Sequence, residues 1–190
     1  MTVMGVVLAA GAGRRFTASG GKGPKPRASV AGVPMVSAVL EAVADAGLDE
    51  VVLVQGAVDL TDLVPSGVVV LDNPRWGEGI ATSLGVALDH ARVAGHEAVV
   101  VGLADQPGVP AEAWNAVSIA PAVPPIAVAT YGGGRGNPVR LHQTMWDLLP
   151  TTGDEGARAV MRDRPDLVRE VPCNGEPHDV DTREDLDRWT

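Results

Sequence analysis

The chain is predicted to form one α/β domain over residues 1–190, an open, mostly parallel sheet with helices on both faces. Three observations predict it. Short apolar runs rich in valine recur at Val3–Ala9, Val51–Val54, Gly67–Leu71 and Ala98–Leu103. Segments with helical spacing of apolar residues lie between them. The glycine-rich and charged stretches fall directly after the runs. Continuous apolar runs mark strands buried on both faces, and strands alternating with helices mark a parallel sheet. The 190 residues are 45% hydrophobic, enough for one core, and only 3% aromatic, so valine and alanine must fill it.

The elements follow in order. Val3–Ala9 ends at glycine and reads as the first strand. Pro34–Ala46 carries Val36, Val39, Leu40 and Val43 at helical spacing, with Gly47 as its stop. Glu50 and Val51–Val54 form a second strand, and Gly67–Leu71 a third. Gly79–Ala94 is a helix with Ile80, Leu84, Ala87 and Leu88 inward. Ala98–Leu103 is a fourth strand, and Pro110 can open a short helix because proline is tolerated in a first turn. Ile126–Thr130 is a fifth strand, with Pro138–Leu141 as an extended continuation. His142–Leu149 and Glu155–Arg164 read as helical and Leu167–Val171 as a strand. Thr182 begins a final helix, with Asp185 three residues on as in a capping box. In such sheets ligands bind outside the carboxyl ends of the strands. The stretches of interest are therefore Ala10–Lys25, Asp72–Ser83, Ala104–Pro107 and Asp179–Thr182.

Charge narrows the function. The net charge of −9 argues against nucleic acid or an anionic membrane as partner, since both need a broad basic surface. Its distribution is uneven. Residues 1–40 hold Arg14, Arg15, Lys22, Lys25 and Arg27 and no acid. The other ten arginines share the rest of the chain with all 24 acids. Positive charge gathered on the loop after the first strand points to a local anion site. The single Cys173 allows no disulfide within the chain and suits a reducing cytoplasm. Its place after a strand reads as structural. No signal-peptide pattern is visible, and Val3–Ala10 is too short to span a membrane. His90, His96, His142 and His178 show no zinc-ligand spacing, and no serine-hydrolase elbow appears.

Two common phosphate loops fail on the glycine stretch. The dinucleotide fingerprint needs a third glycine where Phe16 stands and an acid where the second strand ends in Gln55. The P-loop needs a hydroxyl after its lysine, and Lys22 is followed by Gly23-Pro24. A strand, a glycine turn, paired arginines and a Lys-Pro remain, and backbone amides with a lysine can cradle a triphosphate.

These residues carry a resemblance. Leu8-Ala9-Ala10-Gly11-Ala12-Gly13-Arg14-Arg15 with Lys25-Pro26 resembles the opening signature of nucleotidyltransferases that activate sugars, isoprenoid precursors and the molybdenum cofactor. Asn73–Gly79 with Ser83-Leu84, and Leu103–Pro107, resemble motifs of the molybdenum cofactor cytidylyltransferase group. So do Gly136–Val139, Gly153–Arg158 and Asp179–Leu186. The matches run in order over nearly the whole chain. Phe16 stands for the family's Met, the loop from Arg15 to Lys25 is longer, and Asn137 stands for its His.

The resemblance implies a Rossmann-like nucleotidyltransferase fold and transfer of CMP from CTP to molybdopterin, a phosphorylated acceptor, with release of pyrophosphate. It implies a phosphate clamp of Gly11, Gly13, Arg14 or Arg15, and Lys25, with Lys22 a solvated neighbour. It implies Mg2+ held by Asp105 with Asp181 or Asp179, since magnesium takes one or two carboxylates plus phosphate oxygens. A base pocket of Leu8, Ala9, Ala10 and Ser83, near the Trp76–Gly79 loop, completes the set. Lys25, Arg15 and Asp105 are then the catalytic residues. Guanylyl transfer, another phosphorylated acceptor, and a non-catalytic nucleotide-binding partner of a molybdoenzyme client remain as alternatives.

Overall fold

The computed structural model describes residues 1–189. Its elements are β1 (Val3–Leu8), α1 (Arg14–Ala18), β2 (Ser29–Val30), β3 (Val33–Pro34), α2 (Met35–Asp45), β4 (Glu50–Gln55), β5 (Val68–Asp72) and α3 (Ile80–Ala94). They continue with β6 (Ala98–Leu103), α4 (Ala111–Ser118), β7 (Ile126–Tyr131), β8 (Gly134–His142), α5 (Ala157–Asp163), β9 (Val168–Pro172) and α6 (Arg183–Asp187).

Seven strands form one sheet in the order β5-β4-β1-β6-β8-β7-β9, and β8 alone runs antiparallel to its neighbours. The predicted α/β class holds. Strand alternation divides the core. Val3, Val7 and Ala9 pack with Val36, Leu40 and Val43 of α2 and with Trp114 and Val117 of α4. Met4, Val6 and Leu8 face the other way, onto Leu84, Leu88 and Ala91 of α3 and Met161 of α5. Gly102 makes room for the α4 helix, because a side chain there would strike the Trp114 ring.

The chain order explains where a site must lie. From β1 the chain moves outward through β4 to β5, then returns to place β6 on the other side of β1. The loops after β1 and β6 therefore separate at this reversal and leave a crevice at the strands' carboxyl ends.

Several elements depart from the sequence-based expectation. The residues after Gly13 form a helix, α1, where a loop is predicted. β8 begins at Gly134 rather than Pro138 and folds back on β7 as a hairpin, which makes it antiparallel. Gln143–Leu148 is 3-10 rather than α-helical. The small β2–β3 ribbon leaves no trace in the apolar pattern. The predicted capping box is present, with Thr182 and Asp185 bonding each other's backbone amides.

Candidate active site

The first part of the site grows from Gly13. It holds the left-handed conformation, φ 61°, and a Cβ there would stand 2.8 Å from the Lys25 Cβ. Only glycine lets α1 start at this angle with Lys25 so close. Phe16 then anchors α1. It is fully buried among Ala28, Val30, Met35, Val180 and Leu186. The segment after it curls back, with Gly21 N–H bonding Phe16 O at 3.0 Å and Ser19 Oγ accepting from Arg183 N at 2.8 Å. The longer loop thus ties the end of α1 to α6.

Lys25 opens a 3-10 turn and is the best-buried charged group of the site, its side chain 11% exposed. Nζ donates to Asp105 Oδ2 and to Asp181 Oδ1, each at 2.7 Å. Burial works to lower the Lys25 pKa, and the two carboxylates outweigh it, so the ammonium is held above its ordinary value. Arg15 Nη1 reaches Asp181 Oδ2 at 2.7 Å from the solvent side. Asp105 follows β6, and its carbonyl accepts from Val180 N at 2.8 Å, which docks the C-terminal segment beside it. Four charged residues from three distant stretches of chain therefore meet over the crevice.

Two cavities open there. The smaller, about 270 Å3, is lined by Leu8, Ala9, Gly11, Gly13, Arg14, Arg15, Lys25, Asp105 and Asp181 among others. The larger, about 860 Å3, has walls from β6, β7, β8, α3 and α5, and includes Gln106, Asn137 and Asp179. Leu8, Arg15 and Asp105 line both. Asp105 and Asp181 thus face one point, and Asp179 turns instead to Gln106 Nε2, 2.7 Å away. The Asp179 carboxyl is pushed above its usual range by burial and by the neighbouring charge of Asp105.

Two predicted base-pocket residues are not brought to either cavity. Ser83 is buried, and its Oγ accepts from Asn73 Nδ2 at 2.9 Å, in a network that also holds Thr82. Ala10 Cβ instead lies with Trp76 Cβ over Gly56, where the Ala10 carbonyl also accepts from Ala57 N. Trp76 packs there. Lys22 is exposed. Burial pushes the Cys173 thiol up, as suits a structural cysteine.

The donor set fits a hard cation. Asp105 Oδ1 is buried without a hydrogen-bond partner, a cost that a ligated ion would remove. Among the described residues no three His, Cys, Asp or Glu side chains are gathered to hold a metal by themselves. Two carboxylates here would need phosphate oxygens and water to complete the shell. No helix among the described residues is long and apolar enough to cross a membrane.

Sequence reasoning missed Gln106 as a structural link, although it stands inside a motif singled out above. It missed Phe16 as an anchor and Arg158 and Met161 as cavity walls, because each depends on contacts across the sheet.

Comparison with known proteins identifies the family. Residues 5–169 match the model of the MobA-like NTP transferase domain. The nicotine blue oxidoreductase of Paenarthrobacter nicotinovorans is 32% identical, over 98% of this chain and 95% of its own. The crystal structure of Rv0371c from Mycobacterium tuberculosis H37Rv is 30% identical, with a TM-score of 0.83, covering 99% of this chain and 97% of its own. A nucleotidyl transferase from Methanothermobacter, 20% identical, shares the fold with a TM-score of 0.80, over 98% of this chain and 95% of its own. Six motifs in order along the chain, a charged cluster at the sheet's reversal and a family match over most of the length place the chain in the MobA-like NTP transferase family, as a nucleotidyltransferase that moves a nucleoside monophosphate from a nucleoside triphosphate.

Proposed function

We propose that the chain transfers CMP from CTP to molybdopterin. The observation that carries this reading is the convergence of Lys25, Arg15, Asp105 and Asp181 where the two cavities meet. In the proposed reaction an acceptor phosphate oxygen attacks the α-phosphorus of the nucleotide. The bond from that phosphorus to the bridging oxygen breaks, and pyrophosphate leaves with the electron pair. Such a step asks the protein for position and charge neutralisation more than for covalent chemistry.

The smaller cavity takes the triphosphate. Backbone amides around Gly11 and Gly13 approach the phosphates, and Lys25 with Arg15 balances the charge of the leaving pyrophosphate. Asp105 and Asp181 would hold Mg2+, which supplies charge neutralisation at the α-phosphate when bound. Asp181 is favoured over Asp179 because it shares with Asp105 a single cation 2.7 Å away. The larger cavity takes the acceptor. Its apolar wall of Val101, Val128 and Val139 suits a flat ring, and Arg135 and Arg158 stand among its lining residues for a phosphate. The choice of CTP rests on the resemblance of the opening motif.

A second reading follows from the Paenarthrobacter relative, whose name assigns it oxidoreductase chemistry. The larger cavity would then hold a heteroaromatic electron acceptor. Against a nicotinamide donor, Phe16 occupies the fingerprint's third glycine position and is buried.

The test is pyrophosphate release from CTP, GTP, ATP and UTP with magnesium and molybdopterin, beside a thermal-shift panel of the same nucleotides. CTP is expected to give the largest shift and the fastest release. Faster release from GTP would make the protein a guanylyltransferase. Stabilisation by nucleotide without turnover on any acceptor would favour a binding partner of a molybdoenzyme. Oxidation of NADH or NADPH by a quinonoid dye, with no pyrophosphate released, would replace the transferase reading.

A further inference from the structure

We propose that Asn137 determines specificity in the acceptor cavity, with its Oδ1 accepting a hydrogen bond from an N–H group on the acceptor's ring, and that Gln106 is the positioning residue that orients it. This rests on the reading of the larger cavity as the acceptor site.

The orientation follows from donor and acceptor chemistry. Gln106 is buried, 5% exposed, between the loop after β6 and the segment before α6. One side of its amide lies 3.0 Å from the Pro177 carbonyl and 2.7 Å from Asp179 Oδ1. A backbone carbonyl can only accept, whatever the protonation of Asp179, so the amide nitrogen must lie on that side. Gln106 Oε1 is then left facing Asn137 at 2.9 Å. An amide oxygen can only accept, so Asn137 must present its Nδ2 to it. Asn137 Oδ1 points the other way and finds no hydrogen-bond partner among the described residues. Asn137 lines the cavity.

The arrangement resists inversion. The Asn137 carbonyl accepts from Tyr131 Oη at 2.8 Å, which holds the backbone. Turning the Asn137 amide over would set two carbonyl oxygens face to face and leave the buried Gln106 Oε1 unpaired. A ring that offers an N–H to Oδ1 is therefore matched. A ring that offers a carbonyl at the same place meets a second acceptor, and a site built this way rejects it.

Two fluorescent ring compounds separate these cases. Pterin-6-carboxylate carries an exocyclic amine where lumazine-6-carboxylate carries a carbonyl. Both are titrated into the intact protein and their dissociation constants compared. The pterin is expected to bind about tenfold more tightly, as for one hydrogen bond gained against one acceptor clash. Asn137→Ala and Gln106→Leu should each bring the ratio to about one, the second without removing Asn137 itself. Thermal melts establish that each variant is folded, and either variant alone suffices for the comparison. Equal affinities in the unaltered protein, or a ratio that survives in a folded Asn137→Ala, would overturn the assignment. Binding of neither compound would overturn the pterin-acceptor reading, and the assignment with it.

Discussion

Lys25 is the residue on which the site turns. In this structure it occupies the point between Asp105 and Asp181 that a metal ion would share, at 2.7 Å from each. On the proposed reading, a nucleotide draws the ammonium onto its phosphates and a cation takes that place. Lys25→Met is therefore expected to have two opposite effects. Affinity for the nucleoside triphosphate falls by about 10–100-fold, the worth of a charge-assisted hydrogen bond. Affinity for Mn2+ in the absence of nucleotide rises by about tenfold, because the competing charge is gone. Electron paramagnetic resonance of free Mn2+ reads the second effect without turnover. Lys22→Met changes neither, since Lys22 is exposed. An unchanged Mn2+ affinity in the Lys25 variant would remove the shared-site reading. Lys25 was singled out by resemblance, as the lysine that a proline follows. That it bridges two carboxylates was not legible, because Asp105 and Asp181 lie 80 and 156 residues away.

At the scale of elements, α1 and α4 each depend on one buried side chain. Phe16 pins α1 to the cluster formed by β2, α2 and α6. Phe16→Ala leaves a cavity and should cost about 3–5 kcal/mol by chemical denaturation. It should also raise the KM for nucleotide, because the arginines of α1 lose their anchor. A lower stability with an unchanged KM would show that α1 does not position the clamp. Arg140 of β8 is fully buried, and among the described residues it pairs with no carboxylate. It donates instead to the carbonyls of Ala120 and Pro121, where the chain leaves α4, and so meets the negative end of that helix. Burial lowers its pKa. Arg140→Met removes the desolvated charge but leaves the carbonyl of buried Ala120 unpaired, for a net loss of about 1–3 kcal/mol. The helical spacing of α2 and α3 could be read directly. The role of Arg140 could not, since a lone arginine in a strand reads as an exposed one.

For the whole molecule, a second polar cluster lies at the far end of the sheet. Glu50, at the start of β4, accepts from His90 Nε2 at 3.1 Å and His96 Nε2 at 2.7 Å. It joins β4 to α3 and to the turn entering β6. Burial works to raise the Glu50 pKa, and the two histidines outweigh it, so the carboxyl lies below its ordinary 4.5. A carboxyl depressed on folding contributes stability that is present above its unfolded pKa and lost as pH falls through the folded one. Glu50→Gln should therefore lower the melting temperature above pH 4.5 and flatten its fall on the acid side. A melting curve parallel to that of the unaltered protein through this range would refute the linkage. The sequence by itself determined the parallel strands, the helices between them, the strand-end loops and the concentration of positive charge on the first loop. Periodicity and local charge are written in neighbouring residues. The hairpin that reverses β8, the removal of Ser83 and Ala10 from the cavities, and the chain from Asp179 through Gln106 to Asn137 were decided only by the tertiary structure. Each depends on which distant surfaces the sheet order brings within hydrogen-bond distance, and no local pattern encodes that order.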